Sequence, residues 1–541
     1  MNRDIAAIVL TNLSERAEGS DSPVVLTSLE RQALQVLFGT GTNIASSDGQ
    51  KGKREEPGNT PVEISPEPVI RWKPSHPPEP DVILCLDFGT SFSKAFACRN
   101  LPHESVPELI DIGFGGNDDG TTQYVLPSEL FIHDGSIFFG MAARQQFEIV
   151  GAEQDRLIDN PKQYMTLGME VAALHQQPLR SEQDPSGSLS QRDALVLYLA
   201  HLNRLAEKSL EESGFTGEIR RRYAHPAWDD MSAEANSKAM DRIMAESIML
   251  AKCFPAEFED RTALETARSL ARKVQTADEE DLPLELLVGP VHEATAAGAG
   301  ALMATRERSR QPYVILDIGA GTTDVAGCLC VNNPAWDYVK VAEVTGARKA
   351  IRRAGNTLDN ILLNEILERS SLARETTEHR QVSRSLRRSI RNFKETLFEE
   401  GSLVAPLKSD EVVEIALSEF VGIESVKKLF REIEMIVTDA AFVVAGDDGQ
   451  VYLVATGGGA RLPIVEDLVS RPIEKDGRRM KLASREAMPD DLRETYPRLR
   501  NIYPQLAVAI GGSHPEIPEQ IISVSEGIRD PGPKTLAPVY R

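Results

Sequence analysis

"YVILDIGAGTTDVAGCLCV", Tyr313–Val331, sets an apolar run against an acid, spaced glycines, two hydroxyls and a second acid, and then resumes the apolar pattern. A short apolar run bounded by Asp and Gly reads as a buried strand, so the stretch is strand, tight loop and returning strand. "DVILCLDFGTSFSKAFACRN", Asp81–Asn100, repeats the arrangement much earlier. Two distant copies without a short fixed period point to a duplicated fold with a site between its halves.

The loops suit a polyphosphate. Gly89, Gly319 and Gly321 carry no Cβ, so backbone N–H groups approach an anion directly. Thr90, Ser91, Thr322 and Thr323 add hydroxyl donors. Asp87 and Asp317 would repel such a ligand unless Mg²⁺, which keeps most of its waters, stands between acid and phosphate. Either loop alone also reads as an ordinary hairpin turn, since Gly and Asp form turns readily. A third glycine turn, "TGGGARLP" (Thr456–Pro463), opens a helix, and a helix N-terminus behind glycines receives phosphate well.

Around these loops, strand and helix patterns alternate from Asp81 to about Gly512, the signature of an α/β architecture. The spacing predicts helices over Asp193–Ser213, Leu358–Ser370 and Ser425–Val444, and a strand in "EIRRRYAHPAW". Residues 1–40 hold a small helical arm and 41–80 a Pro/Gly/Ser-rich linker. The halves are then 81–302 and 303–512, followed by a tail, 513–541.

The 541 residues are 41% hydrophobic and 26% charged, a globular balance. Eighty-two acids against sixty bases give a net charge of −22, which argues against nucleic acid and against an anionic membrane surface. "MNRDIAAIVLTNL" lacks the features of a signal peptide, and no apolar run is long enough to span a bilayer. Cys85, Cys98, Cys253, Cys328 and Cys330 read as reduced, buried thiols of a cytoplasmic protein, although Cys328 and Cys330 would share a strand face as a metal pair would. His225 and His292 read as packing or hydrogen-bonding groups. The basic run Arg380, Arg384, Arg387, Arg388, Arg391 and Lys394 reads as a solvated helix face, with Arg391 and Lys394 set apart as nucleotide-side candidates.

The three loops, in this order, resemble the nucleotide-binding domain of DnaK-type heat-shock proteins 70, within the actin-fold ATPase superfamily. "LDFGTSFSK" resembles the first phosphate loop, "LDIGAGTTDV" the second and "ATGGGARLP" the adenosine loop. "VHEATAAGAGAL" (Val291–Leu302) resembles the connecting helix, "NFKETL" the adenine-contacting helix, and "FFGMAARQQ" the segment that ordinarily supplies a catalytic lysine. The resemblance implies an actin-like (ribonuclease H-like) two-lobed fold with a nucleotide cleft, binding ATP/ADP and Mg²⁺. It implies that Asp87, Glu293 and Asp317 organise the metal, mostly through water, and that Asp324 with Thr322 positions the attacking water. Gly89, Thr90, Ser91, Gly319, Ala320, Gly321, Thr322 and Thr323 would cradle phosphates. Gly457, Gly458, Gly459, Arg461 and Lys394 would border the nucleoside. The family lysine falls on Arg144, a bidentate phosphate clamp that cannot act as a base. The family's adenine-side acid falls on Arg391 and a late acid on Gln505.

The reaction implied is γ-phosphate hydrolysis by positioning and charge neutralisation. The expectation is an ATPase switch of the chaperone type without a peptide clamp, read out by a protein partner or co-chaperone. Only 29 residues follow Gly512, against about 100 for a β-sandwich clamp. Alternatives are a sugar kinase-like phosphotransferase, a filament-forming actin homologue, or a binding-only scaffold.

Overall fold

The apolar runs flanking the two loops become central strands because both of their faces are covered. Val82 to Leu86 and Tyr313 to Leu316 are all buried, as expected of strands with helices on either side. The structure, a computed structural model, describes Lys73 and residues 76–521 apart from 101–106, 116–121, 167–169, 227, 229–231, 304–308, 334–337, 375, 408–410 and 446–449. All of these belong to one unit, Ile70–Arg541. The expected N-terminal arm, most of the linker and the last residues of the tail lie outside the described residues.

The fold is mixed α/β. The first sheet contains β1 (Pro78–Asp87), β2 (Phe92–Arg99), β3 (Glu108–Asp111), β4 (Glu218–His225) and β5 (Leu287–His292), in the order β3-β2-β1-β4-β5. The second contains β6 (Ser309–Ile318), β7 (Thr323–Asn333), β8 (Tyr338–Ile351), β9 (Gln450–Thr456) and β10 (Arg478–Arg485), in the order β8-β7-β6-β9-β10. Directions match as well as order. β1–β2–β3 and β6–β7–β8 are antiparallel meanders, whereas β4 and β5, like β9 and β10, continue each sheet in parallel. The internal echo in the sequence is thus a repeat of topology. Glu519–Ile521, within the tail, adds a further strand parallel to β8.

Helices lie between and around the strands: α1 (Gly140–Val150), α2 (Gln191–Glu212), α3 (Ala233–Cys253), α4 (Glu293–Met303), α5 (Gly355–Arg369), α6 (Thr377–Glu400), α7 (Glu424–Ala445), α8 (Pro463–Ser470) and α9 (Tyr503–Ser513). The start of α2 is fixed by Ser190. Its hydroxyl accepts from the Asp193 N–H at 3.1 Å while the Asp193 carboxylate accepts from the Ser190 N–H at 2.8 Å, a reciprocal cap that satisfies otherwise open donors.

One core packs α2 and α3 with the first sheet and a second packs α5, α6 and α7 with the second sheet. A third joins both: Phe96 and Val291 from the first sheet meet Tyr313, Ile315 and Cys328 from the second through α4 and α9. The two helices approach so closely that a Cβ on Gly511 would lie 1.9 Å from the Ala296 carbonyl oxygen. The halves therefore do not divide cleanly at residue 302. α9, from the end of the second half, packs on the first sheet, where the Cys85 thiol reaches the Val508 carbonyl and Arg222 donates to Gly512 O at 2.6 Å. The linker boundary also moves, because Pro78 already pairs with Glu218.

Cys85, Cys98, Cys328 and Cys330 are buried, but Cys253 is exposed, since it ends α3 beyond the core. No described helix is long and apolar enough to cross a membrane.

Candidate functional site

Two hairpin loops meet head to head. The first, between β1 and β2, is braced by Ser128, whose hydroxyl donates to Gly89 O at 2.8 Å and whose N–H donates to Ser91 O at 3.0 Å. The second, between β6 and β7, is closed by Gly319 N–H to Thr322 O at 3.0 Å. It is braced from α5 by Gly355 N–H to Gly319 O and Asn356 N–H to Ala320 O. The loops touch, and a Cβ on Gly321 would sit 2.6 Å from Thr90 Oγ1. Gly319, Ala320, Gly321 and Thr322 remain partly open, whereas Thr323 is fully buried and its hydroxyl donates to Arg353 O at 2.8 Å. Thr323 thus contributes to the loop's fold and does not present its hydroxyl to a ligand.

The cross-strand registers place Asp87 opposite Lys94, and Asp317 opposite Asp324. Like charges directly opposed on a ladder destabilise it, so the second pair calls for a compensating charge. Glu293 supplies a further acid at the junction of β5 and α4. Asp87, Glu293, Asp317 and Asp324 are 3%, 4%, 7% and 1% exposed.

Burial first, then the charges of Glu293 and Asp87, push the Asp317 carboxyl up to about 6. Burial, then Glu293, pushes Asp324 up to about 7. Burial raises Glu293 as well, opposed by Lys162. The Thr322 hydroxyl works against the rise at Asp324.

Two ammonium groups answer the four acids. Lys94 Nζ donates to Asp87 at 2.9 Å. Lys162, just before the helical turn Gln163–Thr166, donates to Glu293 and is itself buried. Burial works against its charge, but Glu293, Asp87 and Asp324 outweigh it and hold the ammonium above its ordinary range. Fully ionised, the cluster would keep two negative charges, a deficit that fits a divalent cation. Among the described residues no group of three His, Cys, Asp or Glu side chains is placed to hold a metal ion directly.

The third glycine turn completes the floor. Thr456 Oγ1 donates to Asp317 Oδ1 at 3.0 Å, and Gly459 N–H donates to Ile318 O at 2.9 Å. Gly457 has φ 80°, and a Cβ there would lie 2.4 Å from Ile318 O and 2.7 Å from Asp317 Oδ1, so only glycine fits. Gly458 and Arg461 are exposed, and Pro463 opens α8. Lys394, on α6, donates to Gly355 O at 3.2 Å and pairs with Asp359 at 2.8 Å, which ties it to the brace of the second loop.

The lysines that the structure brings to the acids are Lys94 and Lys162, and Arg144 pairs elsewhere. On α1, about one third exposed, Arg144 pairs with Glu129. Its place in the resemblance rested on the segment around it, but the chain next reaches the acids at Lys162, past the end of α1, the short helical turn Gln154–Arg156 and the strand Leu157–Ile158. An available signal was that Lys162 is the sole Lys or Arg between Arg156 and Arg180, set beside Pro161 and an apolar stretch.

The basic face of α6 is not simply solvated either. Arg384 pairs with Glu153, Arg388 lies 5.8 Å from the Phe147 ring and Arg391 lies 4.7 Å from the Phe92 ring, all contacts to the first half. An open groove of about 760 Å³, lined by Asn364, Leu367, Glu368, Arg374, His379 and Arg380, lies apart from the acids and shares no residue with them. His225 stacks on Trp228 with centroids 4.3 Å apart, and His292 sits beside Asp324 and Glu343. Burial pushes both imidazoles down, to about 4 and about 3. Compared with protein-family models and with curated proteins, the chain matches none.

Proposed function

We propose that this chain is a Mg²⁺-dependent ATP-binding and ATP-hydrolysing conformational switch with an actin-type two-lobed architecture, whose state is read by a protein partner. The observation that carries the reading is the meeting of two topologically matched hairpins, with Asp87, Glu293, Asp317 and Asp324 in one buried, under-neutralised cluster. A fold needs no such cluster, and a like-charge pair facing across a ladder is retained where a ligand supplies the missing charge.

Bound Mg²⁺ would neutralise phosphate charge, held through water by Asp87, Glu293 and Asp317. The open backbone of Gly319, Ala320 and Gly321, with the Thr90 and Thr322 side chains, offers donors to phosphate oxygens. Lys94 and Lys162 keep the acids compact and present positive charge beside the phosphates. Asp324, raised to about 7, is suited to orient a water and accept its proton near neutral pH. Gly457, Gly458, Gly459, Arg461 and Lys394 border the nucleoside. Because both halves contribute to the site, ligand binding draws them together, and that closure is the signal for a partner.

Single-turnover hydrolysis of ATP with Mg²⁺ tests the reading. Phosphate release by the wild type, lost in Asp317→Ala, supports it; equal rates in the two defeat it. ADP release that depends strictly on an added polyol would instead make the chain a phosphotransferase. ATP-dependent light scattering would make it a filament former.

A further inference from the structure

Ser128 has no part in the chemistry just described, yet it sets the backbone of the first loop. Gly89 and Gly319 hold equivalent places in the matched hairpins, two residues after the acids that open them, with Asp87 opposite Lys94 and Asp317 opposite Asp324. In each hairpin the glycine carbonyl is held by a donor from outside the loop. Gly319 O accepts from Gly355 N–H at 3.2 Å, and Gly89 O accepts from the Ser128 hydroxyl at 2.8 Å. The carbonyl and the N–H of a planar trans peptide point opposite ways. The two braces therefore turn the next N–H groups, those of Thr90 and Ala320, away from the braced side, and neither donates to any of the described residues.

The second brace is backbone, fixed by α5. The first is a single rotatable hydroxyl and needs support of its own. A carbonyl can only accept, so the Ser128 proton is committed to Gly89 O. Ser128 Oγ is left to accept, with Ser93 Oγ 3.0 Å away and the Tyr198 phenol beside both. Tyr198, on α2, lies 3.0 Å from Ser93 Oγ and 3.0 Å from Pro127 O, the carbonyl of the peptide that carries the Ser128 N–H. That N–H in turn donates to Ser91 O at 3.0 Å. The Tyr198 ring also packs against Phe88, with centroids 5.4 Å apart. Ser93, Ser128 and Tyr198 are fully buried, so water does not compete for these bonds.

We infer that Ser128, seated by Tyr198 and Ser93, is a positioning residue of the first loop: its hydroxyl fixes the Gly89–Thr90 peptide so that the Thr90 N–H is aimed at a phosphate oxygen before the nucleotide arrives. Gly355 does the same for Ala320 in the second loop. The inference rests on the phosphate-binding reading of the two hairpins and adds to it a side chain that acts without touching the ligand.

The test is calorimetric titration of the full chain with Mg²⁺ and a non-hydrolysable ATP analogue, comparing the wild type with Ser128→Ala, Tyr198→Phe and a control, Ser247→Ala. Ser247 is an equally buried hydroxyl on α3 that donates to Met244 O at 2.7 Å and accepts from the Asn203 amide at 3.0 Å, so its loss reports a general weakening of the core. The expected result is a Kd about tenfold higher in Ser128→Ala, the scale of one misdirected hydrogen bond to a charged group. Tyr198→Phe, which keeps the serine but seats it less firmly, should raise Kd about threefold, and Ser247→Ala should leave it unchanged. A Kd equal to the wild type's in Ser128→Ala or in Tyr198→Phe, or a rise that Ser247→Ala matches, overturns the inference and leaves the phosphate-binding reading standing. No binding by the wild type defeats the reading and the inference with it. Should Ser128→Ala fail to fold, Tyr198→Phe against Ser247→Ala decides in the same way.

Discussion

At the residue scale, the site is a problem in charge balance. Asp317 and Asp324 sit far above the ordinary carboxylate range, at about 6 and about 7, chiefly because they are buried and secondarily because they face other acids. An acid whose folded pKa exceeds its unfolded value binds more protons when folded. Its stabilising contribution is therefore complete below about pH 4 and is lost as pH rises through 6 and 7. Magnesium- and nucleotide-free protein should accordingly unfold at lower urea concentration at pH 8 than at pH 5. Asp317 alone should contribute about 1.4 kcal/mol to the difference, the part of its stabilisation still present at pH 5, about one unit below its folded value, and Asp317→Asn should flatten the profile; a profile as steep as the wild type's would contradict the assignment. Lys162 works in the opposite sense. Its loss in Lys162→Met leaves Glu293 buried and unpaired, which should destabilise the protein by about 3–5 kcal/mol at pH 8. Because burial raises the Glu293 carboxyl, the loss should be smaller at pH 5 than at pH 8, and urea curves at the two pH values measure it.

At the element scale, α6 is the helix that reaches across. Its N-cap is Thr376, its C-terminus is closed by Gly401 at φ 78°, and its basic face meets Glu153, Phe147 and Phe92 of the first half. A guanidinium over an aromatic ring contributes about 0.5–1 kcal/mol at a partly exposed site. Arg388→Ala with Arg391→Ala should therefore speed release of a fluorescent ADP analogue by roughly five- to thirtyfold, if the two contacts add; an unchanged stopped-flow rate would show that α6 does not restrain the halves. Elements with strong local signals were legible in the sequence. The expected helix over Asp193–Ser213 became Gln191–Glu212, and that over Ser425–Val444 became Glu424–Ala445. The loop acids were legible for the same reason, since Asp, Gly and Thr sit together in the chain. Lys162 was not, because its role is to balance Glu293, 131 positions away. Nor was the return of α9 to the first sheet, because a helix of small and apolar residues suits either core until close approach at Gly511 selects its neighbour.

At the scale of the whole molecule, the matched sheets, joined by the α4–α9 core, place a buried, under-neutralised group of acids where the two hairpins meet, and on the proposed function its charge responds to ligand. Stability and ligand response should therefore be opposed at a single position. Asp324→Asn keeps the shape of the side chain and removes a negative charge that lies opposite Asp317 and near Glu293. Without ligand, the variant is relieved of that repulsion and should be more stable than the wild type by about 1–3 kcal/mol at pH 8, a rise of a few degrees in melting temperature. A ligand that binds only the folded state stabilises by about 2.7 kcal/mol at a hundredfold excess over its Kd, and wild-type protein should show such a rise with Mg-ATP. In Asp324→Asn the rise should persist, since Asp87, Glu293 and Asp317 remain, while hydrolysis falls by at least about a hundredfold, the typical contribution of a positioned general base. Asp317→Asn should behave differently, gaining stability without ligand and losing most of the Mg-ATP response, because it removes charge from the metal-facing side of the cluster. Calorimetry of the three proteins with and without Mg-ATP separates the cases. Identical ligand-induced shifts in all three would mean that the acids do not form one site, and the two hairpins would then need another reason to meet.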